Sequence, residues 1–295
     1  MSTDWTDPKW DEYHVSPRYL AGSSYAGDAG FAPVQRLGWP HQVDDLGSYI
    51  VSSPDSRIQI GFFGDDYDLW RIAAYERPLE APAWTAVCNQ NFPPEIVAGL
   101  TNALAQDWAW DSDRFLTAPR TGYTEVGRTL KAAGWQRDGG AELGTVELLA
   151  PDREAGLLLD PRSSNRDPLW TLWAGPPGWG TRAEATFTSG TPVHLVAATA
   201  AAMADPAPVV RERHMIHAEV VHLVRLTPVA PLQPSVPRAP TPRDARQAAV
   251  TAAFQRATVA RARSTVRPSS SASTAWAAAA NHPAGAAAGA ARPRR

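Results

Sequence analysis

Hydrophobic and polar residues roughly alternate along two neighbouring stretches of the chain, Ser48–Ser52 and Arg57–Phe63. This alternation is typical of strands with one buried face. Between them, Ser53-Pro54-Asp55-Ser56 has the residues of a type I turn, because proline sets φ at the second position and Ser53 can bond back to the turn backbone. We therefore predict a β-hairpin in which Ser53, Pro54 and Asp55 form a structural turn.

The pattern extends on both sides of this hairpin. Leu69–Tyr75 and Trp84–Cys88 predict a second hairpin, and a short helix with an apolar face is predicted around Phe31 and Val34. Pro93-Pro94-Glu95 predicts the start of another helix, with proline in the first turn and an acid near the positive end of the helix dipole. The predicted unit is a helix, a four-stranded antiparallel meander and a helix.

A second copy of this unit follows about a hundred residues later. Its matches occur in the same order, and they pair Ser53-Pro54-Asp55 with Ala150-Pro151-Asp152, Leu69-Trp70 with Leu169-Trp170, Pro93 with Pro192, and Ile96-Val97-Ala98 with Leu195-Val196-Ala197. Several matches in one order indicate an internal duplication. We predict an α+β fold with units at 27–107 and 124–206 and a linker at 108–123. Their sheets are expected to pack together or to pair edges as an internal pseudo-dimer.

The segments outside the two units have different compositions. Residues 1–26 are polar and aromatic, and they predict an extended arm that packs its rings on the first unit. Residues 207–226 show helical spacing through Ile216 and Val220, which predicts a helical extension. Residues 227–295 are dominated by Ala, Pro, Ser and Arg, so we predict a mostly disordered tail with one helix at 242–263.

Charge divides the chain in the same way. Up to Asp205 there are 15 basic and 27 acidic residues, whereas from Pro206 onward there are 13 arginines and three acids. Flexible arginine-rich segments suit phosphate backbones or acidic protein surfaces. The candidate contacts in the tail are Arg246, Arg256, Arg261, Arg263 and Arg267. The alternative is a solvated linker with biased composition, which the absence of lysine from the tail favours.

Cysteine usage and hydropathy bear on location. Cys88 is the only cysteine, which excludes an internal disulfide and fits a reducing compartment. The N-terminal residues lack the basic and apolar segments of a secretory leader, and no apolar run approaches the ~18 residues of a membrane span. We therefore expect a cytoplasmic protein that does not insert into membranes.

Residues with reactive side chains form no recognised catalytic pattern. Asp55 and Asp152 could meet across the pseudo-dimer axis as a hydrolase's two carboxylates, but turn residues that satisfy their own backbone are the favoured interpretation. His214, His217 and His222 could bind zinc, although an interval of five residues fits a helical face poorly. Gly175–Gly180 lies between strands, which disfavours a phosphate loop. We predict no catalytic residue, metal ligand or cofactor.

The paired units resemble the SPDY family of actinobacterial proteins, a domain of unknown function often found twice per chain. The resemblance covers roughly residues 16–226 and rests on the order of Tyr19-Leu20-Ala21-Gly22, Ser53-Pro54-Asp55, Trp70-Arg71-Ile72-Ala73, Glu95-Ile96-Val97-Ala98-Gly99-Leu100 and His194-Leu195-Val196-Ala197. Ser56 stands where the family's motif carries Tyr, and Ala150 and Arg153 flank the second Pro-Asp. This degenerate second motif argues against a catalytic role shared by both copies. The resemblance implies a fold and no activity.

Two functions of different classes therefore stay open. The first is a non-enzymatic binding or scaffold protein whose duplicated domain presents sheets and aromatic residues to an unknown protein partner. The second is a nucleic-acid-associated protein whose arginine-rich tail binds independently of sequence. A hydrolase that uses Asp55 and Asp152 is the least favoured. The sequence leaves the oligomeric state open.

Overall fold

The computed structural model describes residues 11–24, 27–45, 47–64, 67–110, 113–117, 123–163, 168–178 and 180–229. All of them belong to the first of two compact units, Met1–Pro231 and Leu232–Arg295. The predicted helix at 242–263 and the five candidate arginines of the tail lie outside the described residues.

The two halves of the first unit contain the same series of elements. After a first strand, β1 (Glu12–Ser16), the first half consists of α1 (Asp28–Gln35), β2 (His41–Val43), β3 (Tyr49–Ser52), β4 (Ile58–Phe62), β5 (Trp70–Ala74), β6 (Trp84–Cys88) and α2 (Pro94–Ala109). The second half consists of α3 (Tyr123–Ala132), β7 (Gln136–Arg137), β8 (Val146–Leu149), β9 (Ala155–Leu159), β10 (Pro168–Ala174), β11 (Ala183–Thr188) and α4 (Val193–Ala204). Helices and antiparallel strands confirm the α+β class.

Each half has five strands where the sequence predicted four. The additional strands, β2 and β7, have three and two residues, which is too short to show a pattern of alternation. They lie at the two outer edges of one ten-stranded sheet, whose order is β2-β3-β4-β5-β6-β11-β10-β9-β8-β7. The sheet is therefore widened by one short strand at each edge.

The two halves join through their last strands. β6 and β11 pair antiparallel, with Ala86 opposite Phe187 and Cys88 opposite Ala185. Of the two arrangements predicted for the halves, the structure has the paired edges. This pairing satisfies the backbone groups that β6 and β11 would otherwise expose.

One core lies between the sheet and the four helices. Alternate strand residues point toward the helices, and all four helices bury side chains in the same cluster, which includes Phe31, Ile96, Val126 and Leu195. Trp70 packs so closely on α1 that a Cβ on Gly30 would lie 2.4 Å from its ring. The aromatic residues of the sheet and the small residues of the helices thus determine how the layers meet.

Polar side chains contact the long helix α2 near both of its ends. Arg211, which follows α4, donates to both carboxylate oxygens of Glu95 near the start of α2, at 2.7 and 2.5 Å. His194 near the start of α4 lies 2.6 Å from Asp107 near the end of α2. Because Pro93 matches Pro192, Glu95 and His194 occupy equivalent positions in the two halves. Both positions contact the other half of the repeat or the strand after it, but an acid stands in one and an imidazole in the other.

A second sheet has three strands, and it differs from the predictions for residues 207–226 and for the N-terminal arm. β1 lies between β12 (Val209–Glu212) and β13 (Arg225–Pro228), so the predicted helical extension at 207–226 is wrong. Ile216 and Val220 instead bury themselves beside Val15 in a small separate core.

The N-terminal arm also differs from its prediction. Its residues 12–16 form a strand, and the Tyr19 ring meets Trp135 of the second half with ring centroids 6.4 Å apart. Trp108, the first residue of the predicted linker, contacts Trp39 of the first half, with ring centroids 5.6 Å apart. Among the described residues, no helix is both long enough and apolar enough to span a membrane.

Candidate docking face of the sheet

The Ser53-Pro54-Asp55 turn uses its polar atoms within its own hairpin. The Ser53 hydroxyl accepts hydrogen bonds from the backbone N–H groups of Arg57 at 3.1 Å and Ile58 at 2.9 Å, and donates to Asp55 at 2.5 Å. Asp55 also accepts from the N–H of Arg57 at 3.2 Å. These contacts fix the turn and occupy both side chains.

The second turn, with Pro151 and Asp152, keeps only part of this network. Asp152 accepts from the N–H of Glu154 at 3.0 Å, the same two-residue bond that Asp55 makes. Its other oxygen accepts from the Tyr19 hydroxyl at 2.6 Å. Burial and the adjacent carboxylate together raise the pKa of the Tyr19 phenol, so the phenol stays protonated. Asp152 therefore anchors the arm as well as the turn.

The two turns lie at opposite ends of the sheet. β4 and β9 each begin at one of these turns, and they are five antiparallel steps apart in the strand order. Five steps amount to about 24 Å. Asp55 and Asp152 thus form no carboxylate pair, and the hydrolase hypothesis loses the geometry on which it depended.

The other candidate residues are also dispersed. His214 and His222 lie on separate short 3-10 turns, Arg213–Met215 and Val221–Leu223, and not on one helix. In the described part of the chain, no cluster of three or more His, Cys, Asp or Glu could hold a metal ion. Cys88 is buried in the core, and burial raises the pKa of its thiol. The loop at 175–180 joins β10 to β11, as expected from the sequence.

The sheet has a second broad face, opposite the helices. Residues from eight neighbouring strands form one continuous row across it, because they pair directly in register: Ile50, Gly61, Arg71, Val87, Thr186, Thr171, Leu158 and Glu147. This row crosses the β6–β11 junction without interruption. We refer to this surface as the docking face.

Two aromatic side chains lie on the docking face near the same end of the strands. Phe63 leans over Gly61, and Trp173 lies over Gly156, where a Cβ would approach the rings to 2.6 and 2.5 Å. Only glycine allows an aromatic ring so close to the strand. The two rings are therefore held flat against the sheet.

An arginine covers each ring. The Arg71 guanidinium carbon lies 4.9 Å from the centroid of Phe63, and that of Arg182 lies 4.2 Å from the centroid of Trp173. These distances permit cation–π attraction. The Trp173 indole also donates to Glu147 at 2.8 Å. Flat aromatic rings with ordered polar neighbours are typical of interface anchors.

Charge on the docking face is balanced. Its described strand positions carry Arg71, Glu147 and Glu184, and Arg182 adds a second positive charge above Trp173. The remaining strand positions are Thr, Gln, Val, Ile, Leu, Ala and other uncharged residues. A surface that binds nucleic acid through phosphates needs an excess of positive charge, which this face lacks.

The sequence motifs do not single out this face. Arg71 belongs to one of the motifs of the family resemblance, and Trp173 belongs to none of them. One signal was available in the sequence. In each strand the positions between the apolar residues must lie on the face away from the core, because successive side chains point to opposite faces. What no pattern indicates is which strands become neighbours across the β6–β11 junction.

The matched family agrees with this architecture. A model of the SPDY domain, described as a domain of unknown function (DUF317), matches residues 52–110 and 149–209. The two matched segments are consistent with two tandem copies of this domain. No curated protein and no solved structure matches it. The resemblance inferred from the sequence is confirmed.

The SPDY domains contain the central part of the sheet. The first match includes β4–β6 and α2, and the second includes β9–β11 and α4. Phe63 with Arg71 therefore belongs to the first SPDY domain, and Trp173 with Arg182 to the second. The docking face is built jointly by both domains.

Proposed function

We propose that this is a non-enzymatic binding protein that holds a protein partner on the docking face of its two SPDY domains. The observation that supports it is the pair of arginine-covered aromatic rings on a wide face with no excess charge. Interfaces between proteins are enriched in aromatic residues and arginine and depleted in other charged residues at their centre.

The width of the face also suits a protein. The eight strands of the central row extend over about 34 Å at ~4.8 Å per strand step. A small molecule needs a concave pocket, whereas this surface is the broad outer side of a sheet. A folded partner can contact both rings, which are four strand steps or about 19 Å apart.

The experiment compares partners recovered with four forms of the full chain. Cross-linked purification uses the wild type, Trp173→Ala, Thr186→Glu and the control Trp110→Ala, because Trp110 is exposed directly after α2 and away from the face. Thr186→Glu places a charge in the central row without removing a packed ring. We expect one partner to be retained by the wild type and Trp110→Ala and lost by the other two.

A titration with the purified partner then tests direct contact. The affinity should fall about tenfold or more for Trp173→Ala, as for a typical aromatic anchor. If all four forms recover the same proteins with equal affinity, the docking face is not the binding surface. A thermal unfolding curve for each variant shows whether a loss reflects the face or the fold.

A second candidate, nucleic-acid association, is favoured by one observation on the sequence, the arginine-rich tail. A full chain in which Arg246, Arg256, Arg261, Arg263 and Arg267 are all changed to Gln keeps the first unit intact. Binding of DNA and RNA at low and high salt, compared between this variant and the wild type, tests the candidate. Salt-sensitive binding that the variant loses supports it, and negligible binding by both proteins removes it.

A further inference from the structure

A cleft of about 720 Å³ lies at one end of the sheet, on the side that carries the helices. Binding sites for small molecules commonly have volumes of ~300–1,000 Å³. Strand ends, the loops that follow them and two covering segments supply its walls, which include Phe62, Ala174, Ala183, Tyr67, Tyr19 and Met215. The cleft is separate from the docking face, because its strand residues point toward the helices.

A difference between the two SPDY domains explains why the cleft is open. Ala74 opposes Trp84 across β5 and β6, and the equivalent Ala174 opposes Ala183 across β10 and β11. At the far end of the sheet, Trp84 is fully buried and donates to the carbonyl oxygen of Phe115 at 2.6 Å. The small Ala183 leaves the equivalent space unfilled.

The cleft combines flat apolar walls with uncharged polar groups. Aromatic rings reach it from three separate segments, as Tyr19, Phe62 and Tyr67, and Leu20 and Leu69 add aliphatic surface. The described residues that line it include no Asp, Glu, Lys or Arg. Its polar lining consists of hydroxyl, amide and imidazole groups.

Several of these polar groups have hydrogen-bonding capacity left over. The side-chain amide of Gln90 makes no hydrogen bond with any described residue, and Asn91 uses its amide nitrogen on the Arg182 carbonyl at 3.4 Å. His217 Nδ1 accepts from the N–H of Glu219 at 3.3 Å, which leaves its Nε2 for a ligand. Donors and acceptors without formal charge are thus present together.

We propose that this cleft binds an uncharged small molecule built around a planar ring with hydrogen-bonding groups on its edge. The aromatic and aliphatic walls contact the faces of the ring. The amides of Gln90 and Asn91 and the imidazole of His217 bond to its edge. None of the described lining residues is a lysine or an arginine that would attract an anion. Puckered sugars match flat walls less well.

Ligand-observed NMR and calorimetry on the full chain test the proposal with named probes. Adenine, uracil and nicotinamide represent planar rings, cellobiose represents puckered sugars, and inorganic phosphate represents anions. We expect at least one planar-ring probe to bind with one site per chain, and cellobiose and phosphate not to bind. Binding of either of these two in preference to the planar rings, or of none of the five probes, would overturn the proposal.

Three variants place the binding in the cleft. Ala183→Trp fills the space as Trp84 does at the other end, and it should abolish binding of the probe. Gln90→Ala shortens an exposed side chain and creates no cavity in the core. It should weaken binding about fivefold, as expected for one lost hydrogen bond. Gln42→Ala, on the exposed strand β2, is the matched control and should bind like the wild type. If Gln90→Ala binds as tightly as Gln42→Ala, the ligand is not in the cleft.

Discussion

Gly99 on α2 packs directly against Ala198 on α4, at positions that the duplication makes equivalent. A Cβ on Gly99 would lie 2.7 Å from the carbonyl oxygen of Ala198 and 2.6 Å from the Cβ of Ala202. The pseudo-twofold axis between the SPDY domains therefore passes close to this crossing. The domains are joined on one side by the β6–β11 pairing and on the other by backbone contact between two helices.

The variant Gly99→Ala tests this close contact. Because a methyl group has no space at the crossing, the helices must separate, and we expect a loss of about 1–3 kcal/mol in the free energy of unfolding. In the control Gly127→Ala on α3, the nearest atom would be 3.8 Å away, so stability should be unchanged or rise by up to ~1 kcal/mol. Urea denaturation measures both, and equal effects would contradict the packing argument.

Asn89 extends the junction between the two domains with its side chain. Its amide nitrogen donates to the Arg182 carbonyl at 2.7 Å, and its amide oxygen accepts from the N–H of Glu184 at 3.1 Å. Since Asn89 is buried, Asn89→Ala removes the acceptor of the Glu184 N–H and leaves the Arg182 carbonyl with only the longer bond from Asn91 at 3.4 Å, which should cost about 1–3 kcal/mol. Thermal unfolding of Asn89→Ala and of the exposed control Asn102→Ala should differ by several degrees. Matching melting temperatures would be evidence against this role.

The two turns of the duplicated hairpin predict unequal sensitivity. Ser53→Ala removes the hydroxyl that accepts from the Arg57 and Ile58 N–H groups, which should cost about 1–2 kcal/mol. The second turn already has Ala150 at this position, so Ala150→Ser tests the reciprocal change and should not produce a comparable loss. Chemical denaturation of the two variants measures the difference. A Ser53→Ala variant as stable as the wild type would show that the hydroxyl contributes nothing.

Cys88 should make stability depend on alkaline pH. Burial raises the pKa of its thiol above the ordinary ~8.5. The pKa is thus higher in the folded than in the unfolded chain, so stability is retained below pH ~8.5 and falls above it, with a slope approaching ~1.4 kcal/mol per pH unit. Cys88→Ala should remove this contribution from the slope of the unfolding free energy measured between pH 7 and 10. An unchanged slope would refute it.

Local patterns in the sequence predicted much of the repeated unit. Proline at the helix starts and alternation in the hairpins are short-range signals, and Pro93 and Pro192 do precede α2 and α4. The duplication itself could be read from residue order. Edge pairing was one of two arrangements that the sequence left open. Packing of the sheets would bury their apolar faces and pairing would satisfy their free edges, and local patterns do not decide between these two gains.

The wrong predictions involve contacts between distant residues. Ile216 and Val220 have helical spacing, yet they bury themselves against Val15, about 200 residues away in sequence. The strands β1, β12 and β13 are four or five residues long and pair only with one another. Segments this short carry little propensity of their own, so tertiary pairing decides their structure.

The difference between Trp84 in the first half and its equivalent Ala183 in the second half affects how many ligand molecules one chain can bind. A fold built from two equivalent halves would be expected to have each surface feature twice, once in each half. Here one half closes its end of the sheet with an indole, and the other leaves its end open. In the described part of the chain this cleft therefore lacks an equivalent beside Trp84, so its ligand should saturate at one molecule per chain.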